Sequence, residues 1–174
     1  MNVGDMKDKA PTWLPKAIDA LTKVCRGAYE ELEDEESMPP CFGAISTDFN
    51  ADDGFAWGLL RIPDNMDKYE AYGFFKQGLA ALQENSERPI LGGFSITEGW
   101  ELEKDMETRT GREVLVINVE TPDGWRATKL FTIDRSEGDV TLKDQTEVFN
   151  FHFPEEEGDG HMQGMFAQNP TSKQ

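Results

Sequence analysis

Leu14, Ile18, Leu21, Val24, Cys25, Ala28, Tyr29 and Leu32 recur at three- and four-residue intervals, which predicts a helix carrying one continuous apolar stripe. Thr12 is placed to cap it, and Pro15 is tolerated in a first turn whose amide hydrogens have no intrahelical acceptor. The acidic run 30–36 opposes the helix dipole at the far end, and Pro39 and Pro40 stop the helix. Residues 41–49 and 55–62 then read as two strands of a hairpin around the turn residues 50–54, with Phe55, Trp57 and Leu59 on one side. Asp64 and Asn65 offer a cap for a second helix, with Asp67 in its first turn. Its stripe runs through Met66, Tyr69, Tyr72, Phe75, Leu79 and Leu82 to Asn85.

Beyond Pro89 the period falls to two. Residues 90–102 alternate through Ile90, Phe94, Ile96, Trp100 and Leu102, with Gly92 and Glu98 in the same register. A charged stretch, 103–111, reads as an exposed loop. The clearest signal follows: Leu115, Ile117 and Val119 share one face, the turn residues Pro122, Asp123 and Gly124 intervene, and Trp125, Ala127, Phe131 and Ile133 share a face of the next strand. Residues 140–153 form a last strand whose alternation changes phase, predicting a bulge near 146–148.

These elements predict one α+β domain over residues 13–153: a mostly antiparallel, curved sheet of four to six strands with two amphipathic helices, in the order α-β-β-α-β-β-β-β. Two helices separated by a hairpin cannot both be βαβ crossovers, so a doubly wound parallel sheet is disfavoured. Residues 1–12 read as a flexible leader and 154–174 as a flexible acidic and polar tail. Within that tail the short apolar cluster of Met162, Met165 and Phe166 could dock on the core or on another subunit.

Charge narrows the choice of partner. The 174-residue chain has a formal charge of −17, and between Arg26 and Arg61 there is no cation against nine acids. Such a field disfavours direct binding of nucleic acid or anionic membrane and is compatible with a basic protein partner. No stretch reaches the roughly 20 apolar residues that span a bilayer. The first twelve residues lack a signal-peptide core, so a cytoplasmic protein with reduced Cys25 and Cys41 is expected.

Candidate chemistry is sparse. Asp48, Asn50 and Asp52 place oxygens at the first, third and fifth positions of a calcium-loop pattern. Asp53 stands where the loop needs Gly, and Leu59 where it needs a bidentate Glu, so an acidic hairpin turn is the favoured reading. His152, His161, Cys25 and Cys41 lack the close spacing of zinc ligands, and no nucleophile motif accompanies either cysteine. Nucleotide, hydrolase and zinc-protease fingerprints are missing, so no cofactor is expected. Glu98 shares a strand face with apolar residues, where a carboxylate needs a cation such as Arg112, Arg126 or Lys129. Together with Trp57, Arg61 and Trp100 it could line a polar and aromatic pocket.

Three functions compete. The leading expectation is a non-catalytic acidic accessory or interaction domain that self-associates through a sheet edge or an aromatic surface, for which eleven Phe and four Trp supply material. The second is a small-molecule-binding domain or unrecognised enzyme using the Trp57, Glu98 and Trp100 region. The third is an acidic decoy that replaces nucleic acid on a basic protein.

Overall fold

A computed structural model describes residues 3–32, 37–60, 66–85, 89–102, 105, 107–135, 140–151 and 165–166. The chain forms α1 (Val3–Lys9), α2 (Trp13–Glu30), β1 (Cys41–Thr47), β2 (Phe55–Leu59), α3 (Lys68–Asn85), β3 (Ile90–Leu102), β4 (Arg109–Glu120), β5 (Trp125–Asp134) and β6 (Thr141–Phe151). From α2 onward this is the expected order. The six strands make one sheet, β2-β1-β3-β4-β5-β6, in which every neighbouring pair is antiparallel. Because β2 and β3 both run against β1 between them, α3 is a crossover joining two parallel strands one place apart.

The two long helices take opposite faces of the sheet. Leu14, Ile18, Leu21, Cys25 and Tyr29 of α2 pack with Ile45, Phe94, Ile96, Leu115, Ile117 and Val119 on the first face. On the second face Ala71, Tyr72, Phe75 and Leu79 of α3 pack with Phe42 and Ala44. The neighbours Ala44 and Ile45 point to opposite sides of the same strand, so β1 is covered twice. Alternation along β3 suggested one buried face. The unbroken buried run from Gly92 to Thr97 shows two.

Several local expectations change. Residues 3–9, read as part of a leader because they are mostly polar, form α1, and the Lys7 ammonium contacts Glu147 of β6 at 2.7 Å. This partner raises the Lys7 pKa. Thr12 precedes α2 in helical conformation and makes no side-chain cap bond. Residues 64–65 lie outside the described set, and Asp67 caps α3 instead, its Oδ1 accepting from the amides of Tyr69 (2.7 Å) and Glu70 (3.1 Å). The stripe of α3 is narrower than expected, with Tyr69 and Leu82 exposed. The β6 bulge falls between Lys143 and Thr146, where β6 advances three residues against two on β5.

The β4–β5 hairpin matches its sequence signal. The amide of Thr121 donates to the Trp125 carbonyl at 2.8 Å, and the Thr121 hydroxyl accepts from the Trp125 amide at 2.9 Å while donating to Asp123. Met165, from the segment read as a tail, is buried in the second-face cluster. Among the described residues no helix is long and apolar enough to cross a membrane.

Gly43 lets the Phe94 ring lie on β1, because a Cβ there would stand 2.6 Å from that ring and against the carbonyl of Gly58. A Gly43→Ala substitution should therefore lower unfolding free energy by about 1–3 kcal/mol, read from the urea midpoint at unchanged m-value. An unchanged midpoint would show that the ring and β2 yield without cost.

Candidate functional site

Glu98 is where alternation put it, on the first face, and its partners differ from those expected. One oxygen accepts from the Tyr29 hydroxyl at the end of α2 and from the Met38 amide at 2.8 Å. The other lies 3.9 Å from the Arg135 guanidinium, whose Nε donates to Glu113 at 3.2 Å. None of the three cations anticipated for Glu98 serves it. Arg112 lies 3.6 Å from Glu101, Lys129 faces Asp19 and Glu147, and Arg126 is on the opposite face. Burial, followed by the bond to Glu98, holds the Tyr29 pKa far above its ordinary value. Glu98 thus ties the end of α2 and the segment before β1 to the sheet.

The pocket foreseen around Glu98 is divided along the strand. Trp57 pairs through Ile45 with Gly92, six positions from Glu98 on β3, a separation of about 20 Å at strand spacing. Its ring lies 5.4 Å from Phe55 and 5.7 Å from Phe94 between centroids, and its indole N–H donates to Asp53 at 2.9 Å. Trp100 shares the Glu98 end, is 42% exposed and carries the Arg109 guanidinium 5.4 Å from its ring centroid. Arg61, His152 and His161 lie outside the described residues.

The Asp48–Asp53 stretch forms a hairpin turn held by its own carboxylates. Asp48 accepts from the Asn50 amide at 3.0 Å, while Asp53 accepts from the Phe55 amide at 2.9 Å and from the Trp57 indole. Those bonds lower the Asp53 pKa, and Asp52 is exposed beside them. Among the described residues no three His, Cys, Asp or Glu side chains gather as metal ligands. Burial pushes the Cys25 thiol up to about 12 and raises that of Cys41, which opposes thiolate chemistry at both.

The most strongly built polar arrangement is on the second face. Gly93, Glu120, Arg126 and Asn150 are direct partners in turn across β3, β4, β5 and β6, so they form one transverse row on that face. Arg126 Nε donates to Glu120 at 2.8 Å, with both side chains 4% exposed. Glu120 also accepts from Asn118 Nδ2 at 3.1 Å, and Asn118 Oδ1 accepts from the Thr128 hydroxyl at 3.0 Å. The Met165 amide lies 3.4 and 3.3 Å from the two Glu120 oxygens. Burial, then the Glu120 charge, raises the Tyr72 pKa. Among the described residues neither the Tyr72 hydroxyl nor Asn150 Oδ1 has a hydrogen-bond partner, although both atoms are buried.

The row was accessible to register reasoning. With Leu115, Ile117 and Val119 on one face, Asn118 and Glu120 must take the other, and a tight turn at Pro122–Gly124 sets Glu120 opposite Arg126. The apolar cluster at Met162, Met165 and Phe166 allowed docking on the core, but nothing in the chain announces that α3 and Met165 cover this row. No family model, curated protein or solved structure matches this chain.

Two measurements test these assignments. An unfolded tyrosine ionises near pH 10, whereas folded Tyr29 keeps its proton, so the folded state binds more protons above that pH and stability falls as pH rises. Tyr29→Phe should make the decline between about pH 9.5 and 11 shallower by up to about 1.4 kcal/mol per pH unit, and equal slopes would contradict the assignment. Arg126→Met should cost about 3–5 kcal/mol by leaving a buried carboxylate uncompensated, and adding Glu120→Gln should recover part of that loss. A double variant no more stable than the single one would show that the ion pair is not the source of the cost.

Proposed function

We propose that this chain is a non-catalytic, acidic interaction domain that associates with a second copy of itself through the β2 edge of its sheet. The observation that supports this reading most is the contrast between the two outer strands. β2, Phe-Ala-Trp-Gly-Leu, contains no charge, while β6 at the other edge carries Lys143 and Glu147. Charged side chains are a common guard against strand addition, and β2 lacks that guard.

The geometry of β2 fits a short pairing. Leu60 donates to Phe42 and Asp48 to Gly54, so the intervening register turns the backbone N–H and C=O groups of Phe55, Trp57 and Leu59 away from β1. Asp53 accepts the Phe55 amide, which leaves Trp57 and Leu59 to offer N–H groups to an incoming strand. Leu59 is 70% exposed beside them, and Phe49 of the adjoining turn is 95% exposed. Both are large apolar groups that a second chain would cover.

Glu98 supports a small-molecule site less well, because its oxygens already serve Tyr29, Met38 and Arg135. A basic protein is the second class of partner we propose. Glu30, Glu31, Asp52 and Asp53 are exposed, and residues 27–60 contain no cation to offset them. Direct nucleic-acid binding is disfavoured by the same field.

Light scattering coupled to size exclusion tests the association. The native chain should elute as a dimer at high micromolar concentration, and Leu59→Lys should shift it to monomer without lowering the thermal midpoint, since this side chain is mostly exposed. A native monomer at every concentration, or a Leu59→Lys dimer, would refute pairing at β2.

A further inference from the structure

Met165 and Phe166 form a turn against the second face, beginning fourteen residues past the end of β6 at Phe151. Neither belongs to a strand or helix, so no ladder carries them to that place. What receives Met165 is a gap with a specific cause. Gly93 opens the transverse row without a side chain, and a Cβ there would meet Leu79 at 2.9 Å, the Met165 sulfur at 3.1 Å and the Phe75 ring at 3.3 Å. The thioether therefore rests on bare β3 backbone between two residues of α3, and Met165 is 2% exposed. An unbranched, flexible side chain suits such a slot.

Beside the slot stand several buried polar groups. The Met165 amide reaches both Glu120 oxygens at distances above the usual N–H···O value. Two further buried groups in the same region, the Tyr72 hydroxyl and Asn150 Oδ1, have no partner among the described residues. Asn150 neighbours Arg126 in the row, and Tyr72 belongs to the same buried cluster as Met165. Buried polar atoms are nearly always satisfied in folded proteins, so two orphans beside one apolar slot mark a surface shaped for more contacts than Met165 and Phe166 make.

We propose that the second face carries a peptide-binding groove for an uncharged segment with an unbranched apolar residue followed by an aromatic one, and that Met165 and Phe166 occupy it as an internal ligand. The slot above Gly93 takes the first side chain, Glu120 accepts its backbone amide, and Tyr72 and Asn150 supply further bonds to the peptide backbone. The groove selects no net charge, because its carboxylate is already neutralised by Arg126. A segment in trans must displace the tethered one, which competes at the high effective concentration that a short connection imposes. The inference is independent of pairing at β2, since the groove lies on the sheet face under α3.

The test uses a fluorescent synthetic peptide with the sequence of residues 160–170 and full-length proteins. Its anisotropy should report affinity for Met165→Asp at least about tenfold tighter than for the native chain, because the tethered competitor is released. Adding Gly93→Ala to Met165→Asp should abolish binding by closing the slot. A Met165→Asp protein that unfolds cooperatively and does not bind the peptide would overturn the proposal, as would binding indifferent to Gly93→Ala. If Met165→Asp fails to fold, the native chain labelled at its methionine methyls decides the matter. Excess peptide should move the Met165 resonance to the position of an exposed methionine, and a resonance that stays fixed at the highest soluble concentration would overturn the groove.

Discussion

The fold depends on covering its central strands from both sides. Phe42 through Ile45 of β1 and Gly92 through Thr97 of β3 are buried without a break, so neither strand can present a face to water. One helix cannot meet that need. α2 closes the first face before the sheet is laid down in sequence, and α3 closes the second as it carries the chain from β2 over to β3. Glycines at 43, 92 and 93 follow from the same constraint, since each sits where a neighbouring ring or backbone occupies the space a Cβ would need.

The same enclosure organises the charges. With 17 cations for 34 acids, the chain places several of its cations against internal acids. Arg126 is buried with Glu120, Lys129 is buried between Asp19 and Glu147, and Arg135 joins Glu98 to Glu113. Lys7 meets Glu147 from the other side, so this carboxylate holds α1 and β5 to β6 together. Cations used in this way cannot neutralise the exposed acids of the α2 end and the first hairpin. The uneven field that restricts partners is thus partly a product of internal pairing.

Much of this was legible in the chain, and the losses have physical causes. The α2 stripe, apart from Val24, which is exposed, the antiparallel order and the Pro122–Gly124 hairpin follow from local periodicity and turn chemistry. The second covered face was missed because Gly93 has no side chain to register burial, and because the alternation of Phe94 and Ile96 conceals the small residues Ser95 and Thr97 on the reverse. α1 was missed because its attachments, the packing of Met6 on the core and the contacts of Lys7 with Glu147 and Phe149, reach residues far away in sequence. Glu98 was placed on the correct face, but its cation comes from the end of β5, and two-residue periodicity carries no information about which distant arginine arrives there. The burial of Met165 depends on a gap at Gly93 that exists only once α3 has crossed the sheet.

The buried Glu120–Arg126 pair has a kinetic side. Its residues are separated by only the five residues 121–125, so the hairpin brings them together by a short loop closure, while α3 and Met165 reach them only through contacts of long sequence separation. The charges therefore meet while still hydrated, and water leaves them when the cover docks. The desolvation cost falls on that late step, where it raises the barrier to closing the second face without slowing the hairpin. Assembly of this face is consequently the point at which the order of folding events and the electrostatics of a single cross-strand pair become the same problem.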